Sequence, residues 1–147
     1  MESKNKLNSF FVDCFYSILR AEERVLSNLS QRKLSLKEIH VIDAVFCERK
    51  VHRNSFSNIA KTLGITLGTL TTSFNRLERK GYLMKKRDET DKRIFYIDLT
   101  PLGELINEEH LRFHDTIVDQ ITKRLDQKEL DCLTKALDIL NKYFNAL

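Results

Sequence analysis

The sequence predicts a mainly α-helical chain that carries one small β-hairpin. Apolar residues recur at three- and four-residue spacing along most of the 147 residues. Only the segment from residue 82 to residue 100 changes to a strand-like pattern. A single proline, Pro101, and four glycines leave little provision for the many turns of a larger sheet.

The first helix is expected over residues 7–29, where Leu7, Phe10, Phe11, Cys14, Phe15, Ile18, Leu19, Val25, Leu26 and Leu29 fall at helical spacing. Glu22, Glu23 and Arg24 interrupt that stripe and suggest a helix that leaves the core partway. Ser35 and Glu38 form a capping box, each satisfying a free backbone N–H at a helix start. The helix it opens carries Leu36, Ile39, Ile42, Val45 and Phe46 on one face. Asn54 or Ser55 caps a short third helix with Ile59, Ala60 and Leu63 inward, and Gly64 supplies the turn that follows. Thr66 caps a fourth helix whose inner face is Leu67, Leu70, Phe74 and Leu77, and Gly81 ends it.

Tyr82–Arg87 and Ile94–Thr100 then read as two strands joined by the polar turn Asp88–Asp91. Thr100-Pro101 restarts a helix, with a cap followed by proline at the first helical position. Its apolar side holds Leu102, Leu105, Ile106, Phe113, Ile117 and Ile121. Asp126 and Glu129 form a second capping box, opening a last helix with Leu130, Leu133, Leu137, Leu140, Phe144 and Leu147 at coiled-coil spacing. Four helices, a hairpin and two helices make a winged helix-turn-helix, mainly α and expected to be dimeric. Residues 34–100 are expected to be the winged DNA-binding region, on grounds of charge and exposed face, and residues 1–33 and 101–147 the helical dimerisation region.

Charge supports that assignment. From Arg76 to Arg93 there are eight basic residues against four acidic ones, whereas residues 101–147 are net acidic, six against nine. A helix fits the major groove of duplex DNA with its outer side chains at base edges. Beyond its inner stripe, the fourth helix offers Thr66, Gly68, Thr69, Thr72, Ser73, Arg76 and Arg79. Threonine is a mediocre helix former, so Thr66, Thr69, Thr71 and Thr72 within seven residues call for a reason beyond propensity. The hairpin carries Lys85, Lys86, Arg87, Lys92 and Arg93 toward neighbouring phosphates and the minor groove, with Asp91 placed to orient Arg93. One such unit reads only a half-site. Pairing through the last helix, with Phe10 and Phe11 of the first, predicts a homodimer on a pseudo-palindromic operator.

The run from Leu63 to Leu83, then Asp91-Lys-Arg93 and Leu99-Thr-Pro-Leu-Gly103, resembles the MarR family of repressors over essentially the whole length. The resemblance implies a dimer held by the first and last two helices, the Thr66 helix in the major groove, Arg93 in the minor groove, and a ligand that modulates DNA affinity. At Thr72 many relatives carry arginine, so base preferences do not transfer. Leu36–Asp43, Thr66–Ser73 and His110–His114 are similar to the fatty-acid-synthesis repressor branch of that family. That implies repression of lipid-synthesis genes with a long-chain acyl-acyl carrier protein as corepressor. Phe10, Phe11, Phe15 and Tyr16 suit a core, an interface or the border of an acyl tunnel.

Other sensing chemistries stay open at this level, including a small hydrophobic ligand. His110 and His114 stand four apart on a helix, as two metal ligands would, and His40 or Glu109 could join them. Cys14 is the candidate for a thiol-oxidation sensor, although Asp13 and the phenylalanines beside it disfavour a thiolate. Cys14, Cys47 and Cys132 lack C-x-x-C spacing and are expected as buried reduced thiols. No glycine-rich phosphate loop, nucleophile elbow or paired carboxylates appear, so neither an enzyme nor a bound cofactor is expected. No signal peptide or apolar span is evident, so a cytoplasmic chain is expected.

Overall fold

The computed structural model of the chain describes residues 2–29 and 34–146. Leu147 and the side chains of Leu26 and Leu29, all expected on apolar faces, lie outside the described residues. Among the described residues there are six helices and one two-stranded antiparallel sheet, in the expected order. The first helix, α1, runs as Glu2–Ser9, a π-helical turn at Phe10–Cys14, and Phe15–Leu29. There follow α2 (Leu36–Lys50), α3 (Phe56–Leu63), α4 (Leu67–Arg79), β1 (Leu83–Arg87), β2 (Phe95–Leu99), α5 (Pro101–Thr122) and α6 (Gln127–Phe144). The chain divides into two compact units, Met1–Leu111 and Arg112–Leu147. No described helix is long and apolar enough to cross a membrane.

The helix starts follow their caps. At α2 the Ser35 hydroxyl accepts from the Glu38 N–H at 3.3 Å, and the Glu38 carboxylate accepts from the Ser35 N–H at 2.9 Å. Asp126 and Glu129 do the same at α6. Ser55 caps α3, while Asn54 is used differently. The Asn54 side-chain N–H donates to the Ile97 carbonyl at 2.8 Å, and the Asn54 carbonyl accepts from the Ile97 N–H at 2.9 Å. The segment before α3 is thereby tied to β2. Gly64 closes α3 at φ 64°, a left-handed conformation that glycine adopts without steric cost.

In the first unit the core gathers Ile39, Ile42 and Val45 of α2, Ile59 of α3, and Leu70, Phe74 and Leu77 of α4. Leu83, Ile97 and Leu99 of the hairpin and Ile106 of α5 complete it. Val41 and Ala44 are buried as well, so α2 is the central helix and is covered on more than one side.

Three expectations need correction. Leu67 is exposed, because it lies one turn ahead of Leu70, past the end of the core stripe. Cys47 and Cys132 are exposed and Cys14 is half-buried, since none falls on a core-facing stripe. Glu22 does not mark an exit from the core: it is only 2% exposed. A buried carboxylate persists only when partnered, and Glu22 Oε1 lies 2.6 Å from His110 Nε2 and 3.3 Å from His40 Nε2.

The junction of α4, the hairpin and α5 is built on backbone carbonyls. Gly81, at φ 84°, turns the chain out of α4. The Thr100 hydroxyl donates to the Gly81 carbonyl at 2.6 Å and accepts from the Gly103 N–H at 3.1 Å, capping α5. The Thr100 N–H donates to the Tyr82 carbonyl at 3.1 Å. Helix α5 packs so close here that a Cβ on Gly103 would stand 2.2 Å from the Tyr82 carbonyl oxygen. Lys80, at the end of α4, donates to Glu38 Oε1 at 2.7 Å, which anchors α4 to the start of α2.

Two outcomes follow from this packing. Alanine is the better helix former by about 1 kcal/mol, yet Gly103→Ala is expected to destabilise the chain, because overpacking typically costs about 1–3 kcal/mol. Urea unfolding should show a lower midpoint at unchanged m, and an unchanged or raised midpoint refutes the close approach. Burial opposes ionisation of Glu38, but the hydrogen bonds from Lys80 and Ser35 outweigh it and hold the carboxyl below its ordinary value of 4.5. The folded chain therefore binds this proton at lower pH than the unfolded chain. Stability from Glu38 is complete above 4.5 and is lost as pH falls through the depressed value. Glu38→Gln should weaken the protein at neutral pH and flatten the acid limb of its stability curve, measured by urea unfolding from about pH 7 to about pH 3.

Candidate nucleic-acid interface

Helix α4 keeps Leu70, Phe74 and Leu77 buried, which turns its other face to solvent. Gly68, Thr69, Thr72, Arg76 and Arg79 are all exposed there, while Ser73 is half-buried. Thr66 is the N-cap, its hydroxyl accepting from the Thr69 N–H at 3.1 Å. The Thr71 and Thr72 hydroxyls donate to the Leu67 and Gly68 carbonyls at 2.8 and 3.1 Å. With the donor proton spent on the helix, Thr72 presents lone pairs and a methyl group outward. Such a group accepts from an adenine or cytosine amino group, or packs on a thymine methyl. A Cβ on Gly68 would meet nothing nearer than Thr66 Oγ1 at 4.0 Å. The fold does not require glycine at this place, although glycine costs a helix about 1 kcal/mol; the free space faces outward, where a partner would approach.

The hairpin pairs Leu83 with Leu99 and Arg87 with Phe95, so its base enters the core and its tip projects. Lys85, Lys86, Arg87, Lys92 and Arg93 are all exposed. The Lys85 ammonium lies 5.7 and 5.4 Å from the ring centroids of Phe56 and Phe74, and the Arg87 guanidinium 5.1 Å from that of Phe95. These cation–π contacts hold long side chains in place without neutralising them.

The turn is organised by two carboxylates. Asp88 accepts from the Thr90 hydroxyl at 2.6 Å and from the Asp91 and Thr90 N–H groups at 2.8 Å each. Those bonds, the Thr90 hydroxyl first, pull its carboxyl down to about 2. Asp91 Oδ1 accepts from the Arg93 N–H at 3.0 Å and lies 3.5 Å from Arg93 Nε. The Arg93 side chain is otherwise 94% exposed.

Arg49 was not singled out from the sequence. It donates to Asp98 Oδ1 of β2 at 3.0 Å and to Glu104 of α5, which clamps the returning strand and the next helix to α2. Its carboxylate partners lie too far along the chain for any local pattern to reveal them.

The residues expected at a dimer contact show apolar surface. Phe10, Phe11, Phe15 and Tyr16 of α1 are exposed, so none is a core residue of the chain by itself. In the second unit Leu133, Leu137 and Phe144 are exposed, and Leu130 and Leu140 are half-buried. Of the candidate metal ligands, His110 gathers with Glu22 and His40. His114 falls in the second unit, its ring 5.4 Å from that of Phe113, and Glu109 is half-buried.

Comparison with known proteins gives this surface its context. Residues 25–109 match the family described as transcriptional regulator SarA/Rot. The crystal structure of Streptococcus pneumoniae FabT in complex with DNA is similar at a TM-score of 0.84 and 34% identity, covering 97% of this chain and 98% of that one. The multiple antibiotic resistance protein MarR of Salmonella typhimurium is 28% identical over 80% of this chain and 81% of its own length. The regulator SarZ of Staphylococcus saprophyticus is 27% identical over 89% of each. These relatives are regulators of transcription rather than enzymes. The chain belongs to the SarA/Rot transcriptional regulators and is a winged-helix, DNA-binding regulator of the MarR type.

Proposed function

We propose that this chain acts as a homodimer that represses fatty-acid-biosynthesis genes, with long-chain acyl-acyl carrier protein as corepressor. The observation that carries the DNA contact is the juxtaposition of the exposed threonine–arginine face of α4 with the cationic wing. In this reading α4 enters the major groove, with Thr66, Gly68, Thr69, Thr72, Ser73, Arg76 and Arg79 along the DNA. Lys85, Arg87 and Lys92 meet phosphates, and Arg93, steadied by Asp91, enters the minor groove. Support for the regulon comes from the similarity to FabT at 34% identity over nearly the full length. Support for the dimer comes from the exposed apolar faces of α1 and α6.

The double substitution Arg76→Ala and Arg93→Ala removes exposed cations and should leave the fold intact. Fluorescence anisotropy with a duplex from a fatty-acid-synthesis promoter is expected to show affinity at least about tenfold weaker. The dependence of log K on log salt should become shallower by about 1 for each phosphate that the protein no longer neutralises. Unchanged affinity and slope would remove DNA contact from this surface. The corepressor is tested on the unsubstituted protein with long-chain acyl-acyl carrier protein, the unacylated carrier serving as control. Tighter operator binding is expected with the acylated form alone; equal binding across all chain lengths excludes the corepressor.

A further inference from the structure

Away from the exposed face of α4 and the hairpin, one cluster of side chains has the make-up of a metal centre. Glu22 on α1, His40 on α2 and His110 on α5 bring a carboxylate oxygen and two imidazole nitrogens within 4.8 Å of one another. We propose that these three residues form a zinc site, with Glu22 Oε1, His40 Nε2 and His110 Nε2 as ligands and a water in the fourth position. The site stands independently of the regulon and corepressor assigned above.

The donor set suits the ion. Two neutral imidazoles and one carboxylate are a recurring three-ligand set for zinc when a fourth position stays open to water. The three residues come from helices distant in sequence, so only the folded chain offers them together, as expected where metal binding is coupled to folding.

The distances are near those a tetrahedral ion needs. Bonds of about 2.0–2.1 Å place neighbouring ligand atoms about 3.3 Å apart. Glu22 Oε1 and His40 Nε2 stand at 3.3 Å, and Glu22 Oε1 and His110 Nε2 at 2.6 Å. A small rotation of the Glu22 carboxylate opens the second gap.

The far side of the His110 ring adds an independent argument. Its Nδ1 lies 3.7 Å from Asp43 Oδ1. In the ion's absence Nε2 shares its proton with Glu22. Once zinc takes that place, a carboxylate on the Nδ1 side, though beyond hydrogen-bond distance here, favours the remaining proton on Nδ1, as carboxylates beside zinc-bound histidines do. Burial and access are matched as well. Glu22 and His110 are almost wholly buried, and a divalent cation offsets the cost of an enclosed carboxylate. The His40 side chain is 42% exposed, giving the ion a route from solvent and its fourth ligand a place.

The test uses the full chain stripped with a chelator, then titrated with zinc and, for its visible spectrum, with cobalt(II). One ion per chain is expected by native mass spectrometry, with a raised melting temperature and the absorption bands of four-coordinate cobalt. His40→Ala, at a half-exposed position that leaves the buried pair in place, should keep its circular dichroism yet lose the ion and the thermal shift. Asp43→Asn should weaken zinc by about 10–100-fold. His52→Ala, in the turn after α2, should leave zinc stoichiometry and the zinc-induced thermal shift unchanged. Absence of stoichiometric zinc, or zinc retained in His40→Ala, overturns the site and leaves Glu22 as the centre of a hydrogen-bonded histidine pair. The operator titration with Arg76 and Arg93 replaced reads a different surface, so the two proposals fail separately.

Discussion

The geometry of the surface proposed to face DNA depends on one carbonyl-rich junction. The Gly81 carbonyl receives the Thr100 hydroxyl, and the Tyr82 carbonyl receives the Thr100 N–H while lying against Gly103. This short stretch is where α4 ends, the wing starts and returns, and α5 begins. A side chain at position 103 would push α5 off the hairpin, and loss of the Thr100 hydroxyl would leave the Gly81 carbonyl without that bond. The relative placement of α4 and the hairpin is thus set largely by backbone groups. Backbone groups do not change rotamer, so the junction is stiff in a way that contact between long side chains is not.

Around that junction the charged residues divide into two populations. Arg49, Lys80 and Glu38 are spent internally: Arg49 joins α2, β2 and α5, and the Lys80–Glu38 pair joins α4 to α2. Arg76, Lys92 and Arg93 stay exposed, and the acidic groups nearest the wing tip act on its shape. Asp88 is consumed by the turn and Asp91 by the backbone of Arg93, so neither opposes the cations as strongly as a free carboxylate would. A positive surface close to structural carboxylates is therefore consistent with phosphate binding. The relevant quantity is how many cations remain unneutralised, not the net charge of the segment.

What was legible in the sequence is what depends on near neighbours. Ser35 with Glu38, Asp126 with Glu129, and Thr66 at the head of α4 are all three-residue relations, and each forms the cap its spacing implied. The change of period after Gly81 announced the hairpin for the same reason. The exposed face of α4 could be drawn because its buried stripe is regular from Leu70 onward; Leu67 was misplaced where that stripe ends. Features that couple distant residues were not legible. Glu22 looked like a polar break in an apolar stripe, but its partners stand 18 and 88 residues away. Arg49 reaches across 49 and 55 residues to its carboxylates. The π-helical turn at Phe10–Cys14 inserts a wider turn into α1, and side-chain periodicity cannot register such an offset. The lesson is physical: caps and periods are local free-energy preferences, whereas a buried charge is tolerated only by a partner that folding delivers.

Partnering between copies follows the same logic at a larger scale. Leu133, Leu137, Ile139, Tyr143 and Phe144 present large apolar side chains to solvent on a helix with no buried residue. A helix of this kind gains little from its own propensity and is held by packing of its apolar face. An open apolar face on an isolated chain is also an aggregation hazard. A symmetric partner resolves both problems, because it buries the face and closes on itself. Under the proposed DNA contact it also compensates for the short threonine side chains of α4, which would make few strong contacts at one half-site. With one half-site engaged, a second would bind as an intramolecular event at high effective concentration, so two weak readings would become one firm one. In that arrangement the apolar surface of α6 and the modest side chains of α4 are parts of a single design, each sufficient only in the presence of the other.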